Sequence, residues 1–200
     1  VSWKKNILAT GVTLLVVMIA VQCAYPSDRT VIDAQIDTIP VGGMSVAAAT
    51  ERIQSAHLNS EVKIYFGDTQ KPYKTPTAKS LGVSVNSQDA VQRTTYPWWL
   101  RLIPTSLWWA HAVTGDQRSD IAHNNANLQA YITKELGESC SVTPKNATIA
   151  IKEDVLTLVP AEDGGTCKRE DVVASILKTV PSVVNDNTVR VPMTVIKPTV

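Results

Sequence analysis

Residues 7–24 read ILATGVTLLVVMIAVQCA, eighteen residues from Ile7 to Ala24 without a charge. As a helix rising ~1.5 Å per residue this run is about 27 Å long, enough to cross a hydrocarbon core of roughly 30 Å. Lys4 and Lys5 precede it and no acid does. By the positive-inside tendency, residues 1–6 form a cytoplasmic tail and everything after the run lies outside. Trp3 and Tyr25 bracket the run where amphipathic aromatics settle at membrane interfaces. A cleaved signal peptide needs small residues before the cut, which Gln22-Cys23-Ala24 supplies poorly. A lipoprotein signal would use Cys23, but Gln22 stands where a small residue is expected. A soluble helix would carry a polar stripe, and only Thr10, Thr13 and Gln22 interrupt this one. The residues favour an uncleaved anchor over 7–24 followed by a short linker, 25–30.

The rest of the chain is balanced in charge. Without Lys4 and Lys5, the 19 basic residues fall to 17 against 18 acidic ones, a net of −1. That balance argues against a nucleic-acid binder, which usually carries a basic stripe. Charged residues make up 18% and hydrophobic ones 44%, which argues against disorder. The 11 prolines, 9 glycines and 3 cysteines exclude collagen-like chains and disulfide-dense miniproteins.

An outside location permits disulfides. With Cys23 inside the anchor, Cys140 and Cys167 remain as a pair, closing a loop of about 28 residues with an expected stabilisation of roughly 3–4 kcal/mol. Each stands beside turn chemistry, Gly137-Glu138-Ser139 and Gly164-Gly165-Thr166. The competing reading makes Cys167 a catalytic thiol.

Along the body, Val31 to Ile39 alternates apolar and polar and predicts a strand. Pro40 to Gly43 predicts a turn, and Ser45 caps a helix with Val46, Ala49, Ile53 and Ala56 on one face. Val62 to Phe66 predicts a strand whose partner returns over Tyr73 to Lys79. Ser87 is placed as the cap of a further helix. Thr114 to Asn127 reads as a polar loop or the capped start of a helix, and Leu128 to Leu136 as a helix stopped at Gly137. Ala147–Ile151 and Val155–Val159 predict a hairpin turning at Glu153-Asp154, and Gly164-Gly165 a turn. Lys168 to Val180 predicts a helix ended by Pro181, and Val189 to Val195 a last strand. The sum is an α+β chain: an N-terminal transmembrane helix, then an extracytoplasmic module of short antiparallel sheets with packed helices in two related halves. The first half covers 31–136 and the second, a hairpin, helix and strand, covers 137–200.

Inside the first half, Tyr96 to Trp109 reads YPWWLRLIPTSLWW and holds four of the five tryptophans. Three roles fit it. Trp98, Leu102, Leu107 and Trp108 could wedge a core. Trp98, Trp99, Trp108 and Trp109 with Arg101 could rest on the outer membrane face beside the anchor. The same rings could stack on the sugars of a glycan, with Asn124, Asn125 and Gln129 as hydrogen-bonding neighbours.

Several short segments resemble a known family. They are Ile39-Pro-Val-Gly-Gly-Met-Ser-Val-Ala-Ala-Ala, Ala78-Lys-Ser-Leu-Gly-Val, Pro144-Lys-Asn-Ala-Thr-Ile with its following hairpin, and the closing strand to Lys197-Pro198-Thr199. From about residue 30 onward the chain resembles the peptidoglycan-binding domain of VanW-like proteins, also found before the catalytic domain of some L,D-transpeptidases. The resemblance implies peptidoglycan as ligand and, for the transpeptidase-like members alone, a catalytic domain following this one. It does not extend to the Trp-rich insert or to the cysteine pair. Gly165-Thr166-Cys167-Lys168-Arg169 is faintly similar to the transpeptidase cysteine motif, with Thr166 where that family has Gly.

Little other chemistry is written in the chain. His57, His111 and His123 lack metal-ligand spacing, and no phosphate loop or nucleophile elbow appears. Glu162 and Asp163 read as a solvated turn. The expectation is therefore a cell-membrane protein with one anchor and no enzyme activity, cofactor or metal. Its expected partners are the lipid bilayer through 7–24, peptidoglycan through Trp98, Trp99, Arg101, Trp108, Trp109, Asn124 and Asn125, and no nucleic acid. The alternative is a module that docks a membrane protein or the membrane itself through the Trp-rich segment.

Overall fold

A computed structural model of the chain describes residues 2–136, 139–152, 155–179 and 187–199. In chain order the elements begin with helix α1 (Ser2–Ala24), strands β1 (Gln35–Ile36) and β2 (Ile39–Pro40), helix α2 (Val46–Leu58), strands β3 (Val62–Phe66) and β4 (Val83–Asn86), and helix α3 (Gln88–Arg93). A 3-10 helix (Trp98–Leu102), helix α4 (Ser106–Thr114), strand β5 (Asp120–His123) and helix α5 (Asn125–Leu136) follow. The chain continues with strands β6 (Ser139–Val142), β7 (Thr148–Lys152), β8 (Val155–Val159) and β9 (Gly164–Lys168), helix α6 (Arg169–Leu177), and strands β10 (Asn187–Val191) and β11 (Thr194–Ile196). The mixed helix and sheet content agrees with the α+β expectation. Within α1, Asn6–Ala24 is long and apolar enough to cross a membrane, with a mean hydropathy of 2.3.

The body divides into two compact units, each discontinuous in sequence: residues 1–57 with 85–121, and residues 58–84 with 122–200. The cuts between them fall at 57/58, 84/85 and 121/122.

In the first unit, the alternation over Val31–Ile39 forms a tight hairpin instead of one strand. Asp37 and Thr38 both take positive φ, 50° and 66°, and the chain reverses there so that Ile36 pairs with Ile39. Val31, Ile36, Val41, Ala49, Ile53, Val91, Leu100 and Ala110 are buried in this unit. The Ser45 oxygen accepts the Ala48 N–H at 3.3 Å, as its expected capping role requires. Ser87 makes no such bond at α3. Asn86 Oδ1 accepts the Gln88 N–H instead, at 3.4 Å.

In the second unit, β3 pairs in parallel with β10, Val62 opposite Asn187 through Phe66 opposite Val191. This parallel pair stands beside the short antiparallel sheets that were expected, β1 with β2, β6 and β11 with β9, and β7 with β8. The return over Tyr73–Lys79 does run antiparallel beside β3, but Pro72 and Pro76 break it into isolated bridges such as Ile64 with Lys74. Gly164 and Gly165, expected as a turn, are buried in β9, the middle strand of the sheet β11-β9-β6. A methyl group on Gly164 would strike the Val142 carbonyl and the Pro144 nitrogen, so glycine serves close strand packing here. Cys140 lies opposite Cys167 in the same sheet, with Cα atoms 5.2 Å apart, and the two form a disulfide. The expected last strand is split into β10 and β11 at Pro192-Met193. Helix α5 packs on α6, which also lies against β9 and β10. The expected stop at Gly137, the turn at Glu153-Asp154 and the stop at Pro181 lie outside the described residues.

Candidate functional site

The Trp-rich segment builds one structure in the first unit. Pro97 enters the 3-10 helix at φ −62°, the value its ring imposes. Thr105, at φ 66°, turns the chain into α4, and its hydroxyl accepts the Trp109 ring N–H at 3.3 Å. Leu100, Leu107 and Ala110 point inward and are buried. Trp98, Trp99, Trp108 and Trp109 are exposed, with Trp98 at 75% and Trp108 at 57%, and so are Leu102, Ile103 and Val113. Helix α4 is apolar on its inner and outer sides alike. Such a helix belongs in a core or against lipid, because water offers its outer side nothing.

This segment is tied to the last turn of α1. Gln22 is fully buried, and its Oε1 accepts the Ser106 hydroxyl at 3.0 Å and the Leu107 N–H at 3.2 Å. The Leu107 N–H is one of the first-turn donors of α4 that have no partner within the helix, so Gln22 caps α4 from another element. In the opposite direction, Arg101 Nη1 donates to the carbonyls of Cys23 at 3.3 Å and Tyr25 at 2.8 Å. A cation there completes the open carbonyl end of α1 and complements its negative pole. The guanidinium also stands 5.4 Å from the centre of the Tyr96 ring, which meets Tyr25 edge-on at 5.7 Å. Tyr25 donates its hydroxyl to the Thr30 carbonyl at 2.7 Å, and burial pushes its phenol above the usual 10.0. Ser106, Tyr96 and the Leu100 carbonyl complete the buried polar joint.

Of the residues expected to bind ligand, Trp98, Trp99, Trp108 and Trp109 share this exposed ridge. Arg101 is engaged with the backbone carbonyls of α1. Asn124 and Asn125 belong to the other unit, where Asn124 Oδ1 accepts the Asn127 N–H at 3.2 Å and so caps α5. Gln22 was legible only as an interruption of the apolar run, although a lone amide one turn from the end of an anchor is the signal that such a joint leaves.

Several other titratable groups are held in local pairs. His57 Nε2 lies 3.0 Å from Asp37 Oδ2, and the same carboxylate accepts the Ser119 N–H at 3.1 Å. Lys145 bonds Glu162 at 2.8 Å and holds that carboxyl below its ordinary range. Lys74 does the same to Glu135. Cys167, within its disulfide, offers no thiol nucleophile. Among the described residues no group of three metal-ligating side chains comes together. Comparison of the chain with protein-family models, with curated proteins and with solved structures found no match.

Proposed function

We propose that this chain is a single-pass membrane-anchored docking module without catalytic activity, whose Trp-rich ridge rests on the outer face of the bilayer that α1 crosses. One observation carries the reading: the ridge is bonded through Gln22 and Arg101 to the last turn of the apolar helix, while its tryptophans point away from the core. A surface fixed to the end of a spanning helix sits at headgroup depth, where Trp is favoured and where Leu102, Ile103 and Val113 leave water. Lys4 and Lys5 orient the tail inward, and the Cys140–Cys167 disulfide suits an oxidising space for the body. The wall-binding reading draws its support from the short sequence motifs. Its aromatic and amide residues fall in two separate units.

The test reconstitutes the full chain, carrying Trp3→Phe so that only body tryptophans report, into phosphatidylcholine–phosphatidylglycerol vesicles. Lipids brominated near the glycerol backbone should quench the fluorescence strongly, and Trp98→Phe with Trp108→Phe should remove much of that quenching. Unquenched tryptophans that respond to added soluble muropeptides would reject membrane docking in favour of glycan binding.

A further inference from the structure

In the hairpin β7–β8, Ile149 stands opposite Leu158 and Ile151 opposite Leu156. Period-two alternation places all four side chains on one face of the ribbon. They are exposed at 71%, 69%, 71% and 73% in that order. Among the described residues this sheet consists of its two strands. A two-stranded ribbon is marginal in water unless its apolar face is covered. We propose that a second copy of this chain covers it, the two hairpins packing face to face across a twofold axis.

Three features select a second copy. First, the patch is self-complementary: two cross-strand pairs of equal-sized aliphatic residues form a two-by-two array that maps onto itself by a twofold rotation, as an isologous contact requires. Second, the area is that of a weak dimer. At roughly 100 Å² of apolar surface per Leu or Ile, the four side chains present on the order of 300–400 Å² per copy. A face-to-face pair then buries roughly 600–800 Å² from these side chains, the size of a weak, concentration-dependent association. Third, the chemistry is that of a homodimer core. The four residues are all aliphatic, without the Trp, Tyr or basic anchors that a membrane-facing surface carries and that the Trp-rich ridge does carry. This surface belongs to the second unit and stands independently of the membrane-docking reading.

The full chain in detergent, followed by sedimentation equilibrium from about 1 to about 100 μM, tests it, since a self-association must follow mass action. The wild type should shift from one copy to two within that range. Leu156→Lys should raise the dimer dissociation constant at least ten-fold. The paired substitution Ile149→Thr with Leu158→Thr, which keeps β propensity and so keeps the ribbon, should do the same with an unchanged circular dichroism spectrum. A wild type that stays a single copy throughout would overturn the proposal. So would a dimer indifferent to both variants, since another surface, α1 included, would then hold it.

Discussion

The side-chain oxygen of Gln22 accepts the backbone N–H of Leu107 at 3.2 Å, across 85 residues of sequence. One amide thus joins the end of the apolar helix to the start of α4, and Arg101 makes the reciprocal tie onto Cys23 and Tyr25. The joint is polar, buried and bonded from both sides, so each member matters more than a surface hydrogen bond would.

Gln22→Leu keeps the volume but removes the acceptor, leaving the Leu107 N–H without its partner, while the Ser106 hydroxyl keeps Tyr96 and the Leu100 carbonyl. A buried donor stranded in this way costs about 1–3 kcal/mol. The expected result is a lower thermal midpoint in detergent, read by near-ultraviolet circular dichroism of the tryptophans. An unchanged midpoint would mean the joint contributes nothing.

Opening the Cys140–Cys167 bridge, as Cys140→Ala with Cys167→Ala, should destabilise the second unit by about 3–4 kcal/mol through the freed loop. Urea unfolding measures this. Because both cysteines lie in that unit, the near-ultraviolet signal of the Trp ridge should be the last to respond.

Gly164→Ala tests strand packing in the same sheet. The added methyl meets the Val142 carbonyl and the Pro144 nitrogen, so β6 must retreat. Overpacking of this kind costs about 1–3 kcal/mol, again seen as a lower urea midpoint.

His123 sets a pH dependence. Burial holds its folded pKa below the ordinary 6.5, so the unfolded chain takes up the proton first. Stability should therefore be flat above that value and fall as the pH drops through it toward the folded pKa. Urea midpoints at about pH 7.5 and about pH 5.5 check the sign, and His123→Gln should shrink the difference between them.

Local signals in the sequence were good guides to single elements. The uncharged run gave α1, the 3.6-residue spacing gave α2, α5 and α6, and alternation gave β3, β7 and β8. What remained hidden was set by distant partners. Gly164-Gly165 carries the composition of a turn, yet the residues form the middle of a sheet because β6 and β11 approach too closely for side chains. The parallel pairing of β3 with β10 has no local signature. Asp120–His123 lies in a polar stretch with no alternation strong enough to announce β5. At the ridge, the tryptophans were conspicuous, but whether they faced a core or the outside depended on Leu100, Leu107 and Ala110 taking the inner positions. Arg101 looked like a ligand-facing cation because its acceptors are backbone carbonyls, which no residue pattern displays.

The register of β3 against β10 has a consequence for biosynthesis. Val62 meets Asn187, so β3 must wait for more than a hundred further residues before its parallel partner exists. Pairings of such sequence separation form slowly, because the loop entropy is lost before the contact returns it. The Gln22–Leu107 joint, by contrast, needs only the first 107 residues or so. The expected order of assembly is the helix end with its aromatic ridge first and the β3–β10 pairing of the second unit afterwards. An interrupted translation product ending before residue 187 would carry a finished ridge and an open β3 edge, the species most exposed to aggregation and to quality-control proteolysis.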